Sequence, residues 1–265
     1  MISCVMTTYR RFTCVERSIS FFLNQDFGGE KELIIFNTDT EHPLVLGAEL
    51  LNENIRIINN NTDYKSSLDY SDIGAIRRDA ITHALGEYYI CWDDDDIFLP
   101  WNIRQCFDGI SSNNCMVWKP RTSMYWPYNS MPELARNAME ASAIVNIKFL
   151  RSIGFDNHAG GGEHLKWLLF ARDNGLLIED ENSIPAYCFN WNDTGVMRGH
   201  KQSGSINRLD NFQFHKQQTT DFATRELKLF PSTEINEIYN KHKSLILSTY
   251  GAENFYVKKY IGEFN

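Results

Sequence analysis

The chain has no run of about 18 apolar residues, and no basic stretch leads into one, so the reading along it is of a protein with no membrane span and no export signal. Nor is there Cys-x-x-Cys spacing among its six cysteines, Cys4, Cys14, Cys91, Cys106, Cys115 and Cys188. Two of these fall in apolar, strand-like runs, where a thiol behaves as a small buried hydrophobe, which implies reduced thiols and a cytoplasmic protein. Positive charge is in short supply: 26 Lys and Arg face 34 Asp and Glu, a formal net charge of -8. That balance argues against a broad basic surface for nucleic acid or anionic membrane. Internal repeats and low-complexity tracts are absent as well. What remains is 265 residues, 43% hydrophobic and 13% aromatic. This is enough to bury a sizeable core as one large domain or one domain with an appendage.

The most informative stretch is Tyr88-Tyr-Ile-Cys-Trp-Asp-Asp-Asp-Asp-Ile-Phe-Leu-Pro100, an apolar strand pattern running into four carboxylates. Two unit charges about 6 Å apart repel by roughly 0.7 kcal/mol in water and about 3 kcal/mol at an effective dielectric near 20. The cluster therefore needs counter-charge, and a divalent cation is the most economical source. Strand alternation would send Asp93 and Asp95 one way and Asp94 and Asp96 the other, so that one pair converges on an ion.

Around this stretch the first half alternates strand and helix periods: strands at 2–7, 32–36, 55–58 and 88–92, with helices at 14–24 and 73–85, the latter ended by Gly86. The expected fold class is α/β, a Rossmann-like, mostly parallel central sheet flanked by helices. Such sheets bind ligands beyond the carboxyl ends of their strands. Three polar segments fall there: Thr7-Thr-Tyr-Arg-Arg11, Asn37-Thr-Asp-Thr40 and the aspartate cluster. A nucleotide suits that convergence. Later elements are expected as a helix at 101–110, an aromatic acceptor wall at 117–131, a strand and turn at 141–150, an amphipathic helix at 163–174 and an edge strand at 184–191. From about residue 211 the pattern is helical and polar.

Taken together, these segments resemble the family 2 glycosyltransferases of the GT-A fold, inverting enzymes that use a nucleotide-sugar donor. The resemblance covers residues 2–200 and rests on Thr-Thr-Tyr-Arg-Arg, Ile-Ile-Phe-Asn-Thr-Asp-Thr, Gly74-Ala-Ile-Arg-Arg-Asp-Ala-Ile leading to Ala84-Leu-Gly-Glu-Tyr, and the aspartate cluster followed by Ile-Phe-Leu-Pro. It implies a GT-A domain at 1–207, split into a nucleotide-sugar half (1–100) and an acceptor half (101–207), with a helical C-terminal extension at 208–265. It also implies Mn2+ or Mg2+, a UDP-sugar as the favoured donor, and a glycan or other hydroxyl-bearing acceptor.

Carried over, the resemblance places Thr8, Tyr9 and Arg11 on the nucleotide, Asp39 (or Asn37) on the base, and Arg77 or Arg78 near the donor. Asn37-Thr38 stands where adjacent aspartates are expected. Asp93 and Asp95 would hold the metal, with Asp94 on the ribose or sugar and Asp96 structural. Gly160-Gly-Gly-Glu-His-Leu-Lys-Trp occupies the position of the family's base, so Glu163, the first candidate, or His164 would take the acceptor proton. In the downstream loop His200 becomes a third metal ligand, flanked by Arg198 and Lys201. Trp118, Tyr125, Trp126 and Tyr128 are candidate sugar platforms. Two rival functions remain. One is a catalytically idle nucleotide-sugar or glycan-binding domain, motivated by His164 in place of the family's aspartate; the other is a nucleotidyltransferase, which the glycine-free segment 7–11 disfavours.

Overall fold

The computed structural model describes residues 1–62, 73–127, 130–136, 140–156, 162–190 and 225–262. Its centre is a seven-stranded sheet. The first half supplies β1 (Ile2–Thr8), β2 (Lys31–Asn37), β4 (Ile55–Asn59) and β5 (Tyr88–Cys91), and β3 (Leu44–Leu46) lies outside that sheet. Strand β6 (Ile97–Phe98) follows the aspartates, and the second half adds β7 (Val117–Pro120), β8 (Thr122–Trp126), β9 (Glu133–Arg136), β10 (Ile144–Asn146), β11 (Leu177–Asp180), β12 (Tyr187–Asn190) and β13 (Arg225–Leu227). The helices are α1 (Phe12–Leu23), α2 (Ile73–Thr82), α3 (Asn102–Asn113), α4 (Ile147–Ile153), α5 (Leu165–Asp173), α6 (Ser232–Tyr250) and α7 (Phe255–Ile261).

Strand order in the large sheet is β11-β7-β10-β5-β1-β2-β4, parallel throughout except for β10, which runs against both β5 and β7. This is the mostly parallel sheet that the alternating periods predict. Leu33, Ile34, Ile35 and Phe36 are all buried, as a strand covered on both faces requires. Helix α1 buries Phe12, Val15, Ile19 and Phe22, a stripe at helical spacing. A second, four-stranded sheet runs β6-β12-β8-β9, and β13 pairs with β3 alone.

Several local expectations are corrected. The segment at 184–191, read as an edge strand, is an inner one, since β12 is flanked by β6 and β8. In the segment at 141–150, read as a strand and turn, the strand is β10, but the turn is the start of α4, because Asn146 caps that helix, its Oδ1 accepting from the Lys148 and Phe149 amides at 3.1 and 3.2 Å. Helix α2 stops at Thr82, short of Gly86, and that glycine serves close approach: a Cβ there would lie 2.7 Å from Ser3 Oγ and 2.8 Å from the Met1 carbonyl. The C-terminal helices lean back on the first half, with Tyr239 against Phe21 at 5.6 Å and Arg104 donating to the Lys259 carbonyl at 3.0 Å. The boundary at 207/208 lies outside the described residues. No helix among the described residues is long and apolar enough to cross a membrane. All six cysteines are free thiols.

One packing contact makes a direct prediction. Helix α3 crosses β7 at Gly109, where an added Cβ would stand 2.2 Å from Trp118 Cε2. Gly109→Ala should therefore destabilise the fold by about 1–3 kcal/mol, since Trp118 is fully buried and cannot yield. Thermal unfolding followed by circular dichroism would read the loss.

Candidate active site

The register of the sheet brings the polar segments to one edge: Thr8 pairs with Asn37 at the ends of β1 and β2, Asn37 with Asn59 of β4, and Cys91 ends β5 beside Val5. The aspartates come immediately after β5. Residues 94 and 95 form a turn, so strand alternation is not how the four carboxylates divide. Asp94 and Asp95 instead share one cation, Arg11, whose Nη1 is 2.6 Å from Asp95 Oδ2 and 3.3 Å from Asp94 Oδ1. Thr8 Oγ1 donates to Asp94 at 2.7 Å. Asp93 turns to Arg77, 3.1 Å from its Nη2. Asp96, fully buried, accepts from the Tyr187 hydroxyl and from the Asn190 amide at 3.0 Å, which ties the turn to β12. The counter-charge that the sequence argument assigns to an ion is thus in part supplied by arginines. Burial pushes the Asp94 carboxyl up to about 6, Arg11 opposing the rise and Asp95 adding to it.

At the β2 end, Asp39 is held by Arg10, with Nε at 2.9 Å, and by His42 Nδ1 at 2.8 Å. Arg10 adopts a left-handed backbone, φ 56°, uncommon for a side chain of its size. This bend at the β1–α1 junction lays its guanidinium 5.1 Å above the Tyr9 ring and turns it onto Asp39 while Arg11 faces the aspartates. Asn37 is committed to the Asn59 side chain at 3.0 Å and the His42 carbonyl at 3.1 Å. Both candidate base readers therefore begin from paired states.

Arg77 and Arg78 part company. Arg78 reaches the Phe155 carbonyl at 2.5 Å. Arg77 is buried among acids, with Nε 2.8 Å from Glu163 Oε1 and Nη1 3.6 Å from Glu140 Oε2, and also contacts the Cys91 sulfur. The Glu163 contact lacks hydrogen-bond alignment, so it is an ion pair. Burial works against the Arg77 charge, but Cys91 and the acids around it keep the guanidinium protonated. Glu163 is itself buried, and His164, at the N-terminal cap of α5, keeps an 18% exposed side chain. Burial lowers the affinity of His164 for its proton, leaving a neutral ring.

Two members of the site escape the sequence reading. Arg10 is one, signalled only by its acidic partners Asp39 and Glu41. Glu140 is the other, a lone acid in the small, apolar run Met139-Glu-Ala-Ser-Ala-Ile144. Of the platform candidates, Trp118 is sealed against α3, and Trp126 is covered by α6, with His242 at 5.2 Å and Lys241 at 4.5 Å. Neither offers a free ring face. Tyr125 stacks on Phe189 at 6.0 Å. Tyr128, His200, Arg198 and Lys201 lie outside the described residues.

Among the described residues, ligand atoms converge within 4.8 Å in two groups, Asp39, Glu41 and His42, and Glu140, Glu163 and His164, whereas Asp93 and Asp95 face separate arginines. Arg11 serves two aspartates, Arg77 is shared by Asp93, Glu140 and Glu163, and the cluster keeps an excess of carboxylate oxygens, the ligands that Mg2+ and Mn2+ prefer.

No family model and no curated protein sequence matches the chain. Solved structures do. Residues 1–349 of S. aureus TarS in complex with UDP-GlcNAc share 15% identity at a TM-score of 0.54 over 94% of this chain and 74% of that one. The same TarS segment in complex with UDP gives 14% and 0.53, over 94% and 73%. The mannosyltransferase PcManGT from Pyrobaculum calidifontis, in complex with GDP-Man and Mn2+, shares 12% identity at 0.54, over 73% of this chain and 58% of that one. The chain thus has the α/β fold, with its large and mostly parallel central sheet, on which these nucleotide-sugar complexes are built.

Proposed function

We propose that the chain is a glycosyltransferase of the family 2, GT-A type, moving a sugar from a nucleoside-diphosphate donor, with a UDP-sugar favoured, to an acceptor hydroxyl with inversion. The observation that carries this reading is the convergence of Thr8, Arg11, Asp39 and Asp93 to Asp95 at the carboxyl ends of β1, β2 and β5, with Glu163 linked to Asp93 through one arginine. Proteins that share the fold support it, having been solved in complex with UDP-GlcNAc and with GDP-Man and Mn2+.

In this reading Thr8 and Tyr9 flank the nucleoside, and Asp39 receives the base once Arg10 swings away. Arg11 is the nearest cation for the diphosphate, and Asp94 takes a donor hydroxyl. Asp93 and Asp95 would hold Mn2+ or Mg2+, which when bound would act as a Lewis acid stabilising the departing diphosphate. Residues of the Glu163–His164 pair hold the acceptor and remove its proton, so that attack on the anomeric carbon proceeds in line.

A screen of the purified protein against UDP-, GDP- and dTDP-sugars tests the proposal. The expected result is release of nucleoside diphosphate from one donor, abolished by EDTA and restored by Mn2+ or Mg2+. Binding without turnover in the presence of metal and candidate acceptors would support the idle binding domain instead. Opening of the Arg10–Asp39 pair also has a consequence. Asp39→Ala should raise the donor KM about tenfold or more while kcat changes far less, as expected for a group that binds equally in ground and transition states.

A further inference from the structure

Glu140 is a buried carboxylate with one oxygen unused. Its Oε1 accepts from the Tyr89 hydroxyl at 3.2 Å, whereas Oε2, equally buried, accepts no hydrogen bond among the described residues. A buried acceptor without a hydrogen bond is costly and asks for a reason. The donor atoms nearest Oε2 are Arg77 Nη1 at 3.6 Å and His164 Nδ1 at 3.8 Å. One ligand atom each from Glu140, Glu163 and His164 lies within 4.8 Å of the others. An ion is not required between them, because the Arg77 guanidinium already stands there, against Glu163. That pairing occupies Glu163 and leaves His164 with Glu140 behind it.

We propose that Glu140 is a positioning residue that holds His164 as the proton acceptor of the transfer reaction, with Glu163 serving to fix Arg77. The inference rests on the glycosyltransferase reading and assigns the base within it. Before reaction Glu140 is ionised and faces His164 Nδ1–H at 3.8 Å, a contact that must shorten for the carboxylate to accept its hydrogen bond. The acceptor hydroxyl gives its proton to His164 Nε2 as its oxygen bonds the anomeric carbon. The bond from that carbon to the diphosphate oxygen breaks, and its electron pair leaves with the nucleoside diphosphate. The imidazolium, neutralised by Glu140, later returns the proton to water.

Facing Glu140 are Arg77 from α2, Tyr89 and Cys91 from β5, Asp93 beyond that strand, and Glu163 and His164 before α5. Burial pushes Glu140 up to about 8, with Arg77 pulling down and Glu163 adding to the rise. Burial also lifts Tyr89 and Cys91 well above their ordinary range, and Arg77 stays charged. The pair is therefore competent once Glu140 ionises, and kcat should rise as the pH passes upward through about 8.

The test uses Glu140→Gln, a near-isosteric change that mimics the protonated carboxyl and so spares the fold. NMR of labelled histidine, with the His164 ring assigned by its loss in His164→Gln, should show the ring responding to a titration near pH 8 in the parent and not in Glu140→Gln. Identical His164 profiles would overturn the proposal, and this reading requires no turnover. With the turned-over donor, Glu140→Gln should lower kcat about 10- to 100-fold at pH 9 with the donor KM within twofold, and should cost nothing further in a His164→Gln background. Glu140→Asp should restore part of the alkaline rise. Additive losses in the double variant would overturn the proposal. Failure of every donor in the parent protein would instead remove the glycosyltransferase reading, leaving the NMR comparison to decide whether the pair exists.

Discussion

Replacing Arg77 with methionine should cost the fold about 3–5 kcal/mol and lower the melting temperature by about 6–20 °C. The guanidinium is buried and lies 3.1 Å from Asp93, 3.6 Å from Glu140 and 2.8 Å from Glu163, so its removal leaves three carboxylates facing one another without a cation. Glu140 already takes up its proton more readily in the folded than in the unfolded state, since burial pushes it up to about 8, and losing Arg77 removes the charge that pulls it down. A group of this kind favours folding at low pH and gives up that contribution as the pH rises through its folded pKa. The deficit of Arg77→Met should therefore be largest near pH 8 and shrink toward pH 5, in thermal melts across that range. Arg77→Lys should recover only part of the loss, because an ammonium carries the charge but not the fork that reaches three partners.

Asp95→Asn should abolish transfer, by about 100- to 1,000-fold or more in kcat/KM, while leaving the melting temperature within about 3 °C of the parent. The carboxylate is committed to Arg11 at 2.6 Å, and Arg11 retains Asp94 at 3.3 Å when Asp95 is neutralised. Removing one of two adjacent like charges also relieves repulsion, which offsets the lost ion pair. The neighbour gives the control. Asp96→Asn should be destabilising by about 1–3 kcal/mol, since Asp96 is fully buried and joins the turn to Tyr187 and Asn190. Assaying both variants for activity and for melting separates the residue at the chemistry from the one beneath it.

What the sequence makes legible follows from local physics. Leu33 to Phe36 is a continuous apolar run, the mark of a strand covered on both faces, and Val15, Ile19 and Phe22 repeat at helical spacing. Those periods are enough to place the carboxyl ends of β1, β2 and β5 together, and with them the polar segments. Pairing across the site is another matter. Arg10 with Asp39, Arg11 with Asp95 and Glu140 with Arg77 are contacts between residues far apart in the chain, set by where the strands end, and no local pattern encodes them. Strand alternation does not divide the aspartates, because the backbone turns at residues 94 and 95. Helix α4 is not legible because Asn146 reads equally well as a turn residue and as a cap, nor are β3 and β13, since three-residue strands carry too little period to see.

The proposed function puts a nucleotide sugar and its metal at the ends of β1, β2 and β5. A crystal of the protein grown with UDP and Mn2+ tests it most directly, through the anomalous signal of manganese and the position of the uridine. Manganese is expected on the Asp95 carboxylate, with the uracil beside Asp39 and Tyr9 and the diphosphate near Arg11. Manganese held by Glu140, Glu163 and His164, or a nucleotide bound away from these strand ends, would contradict it.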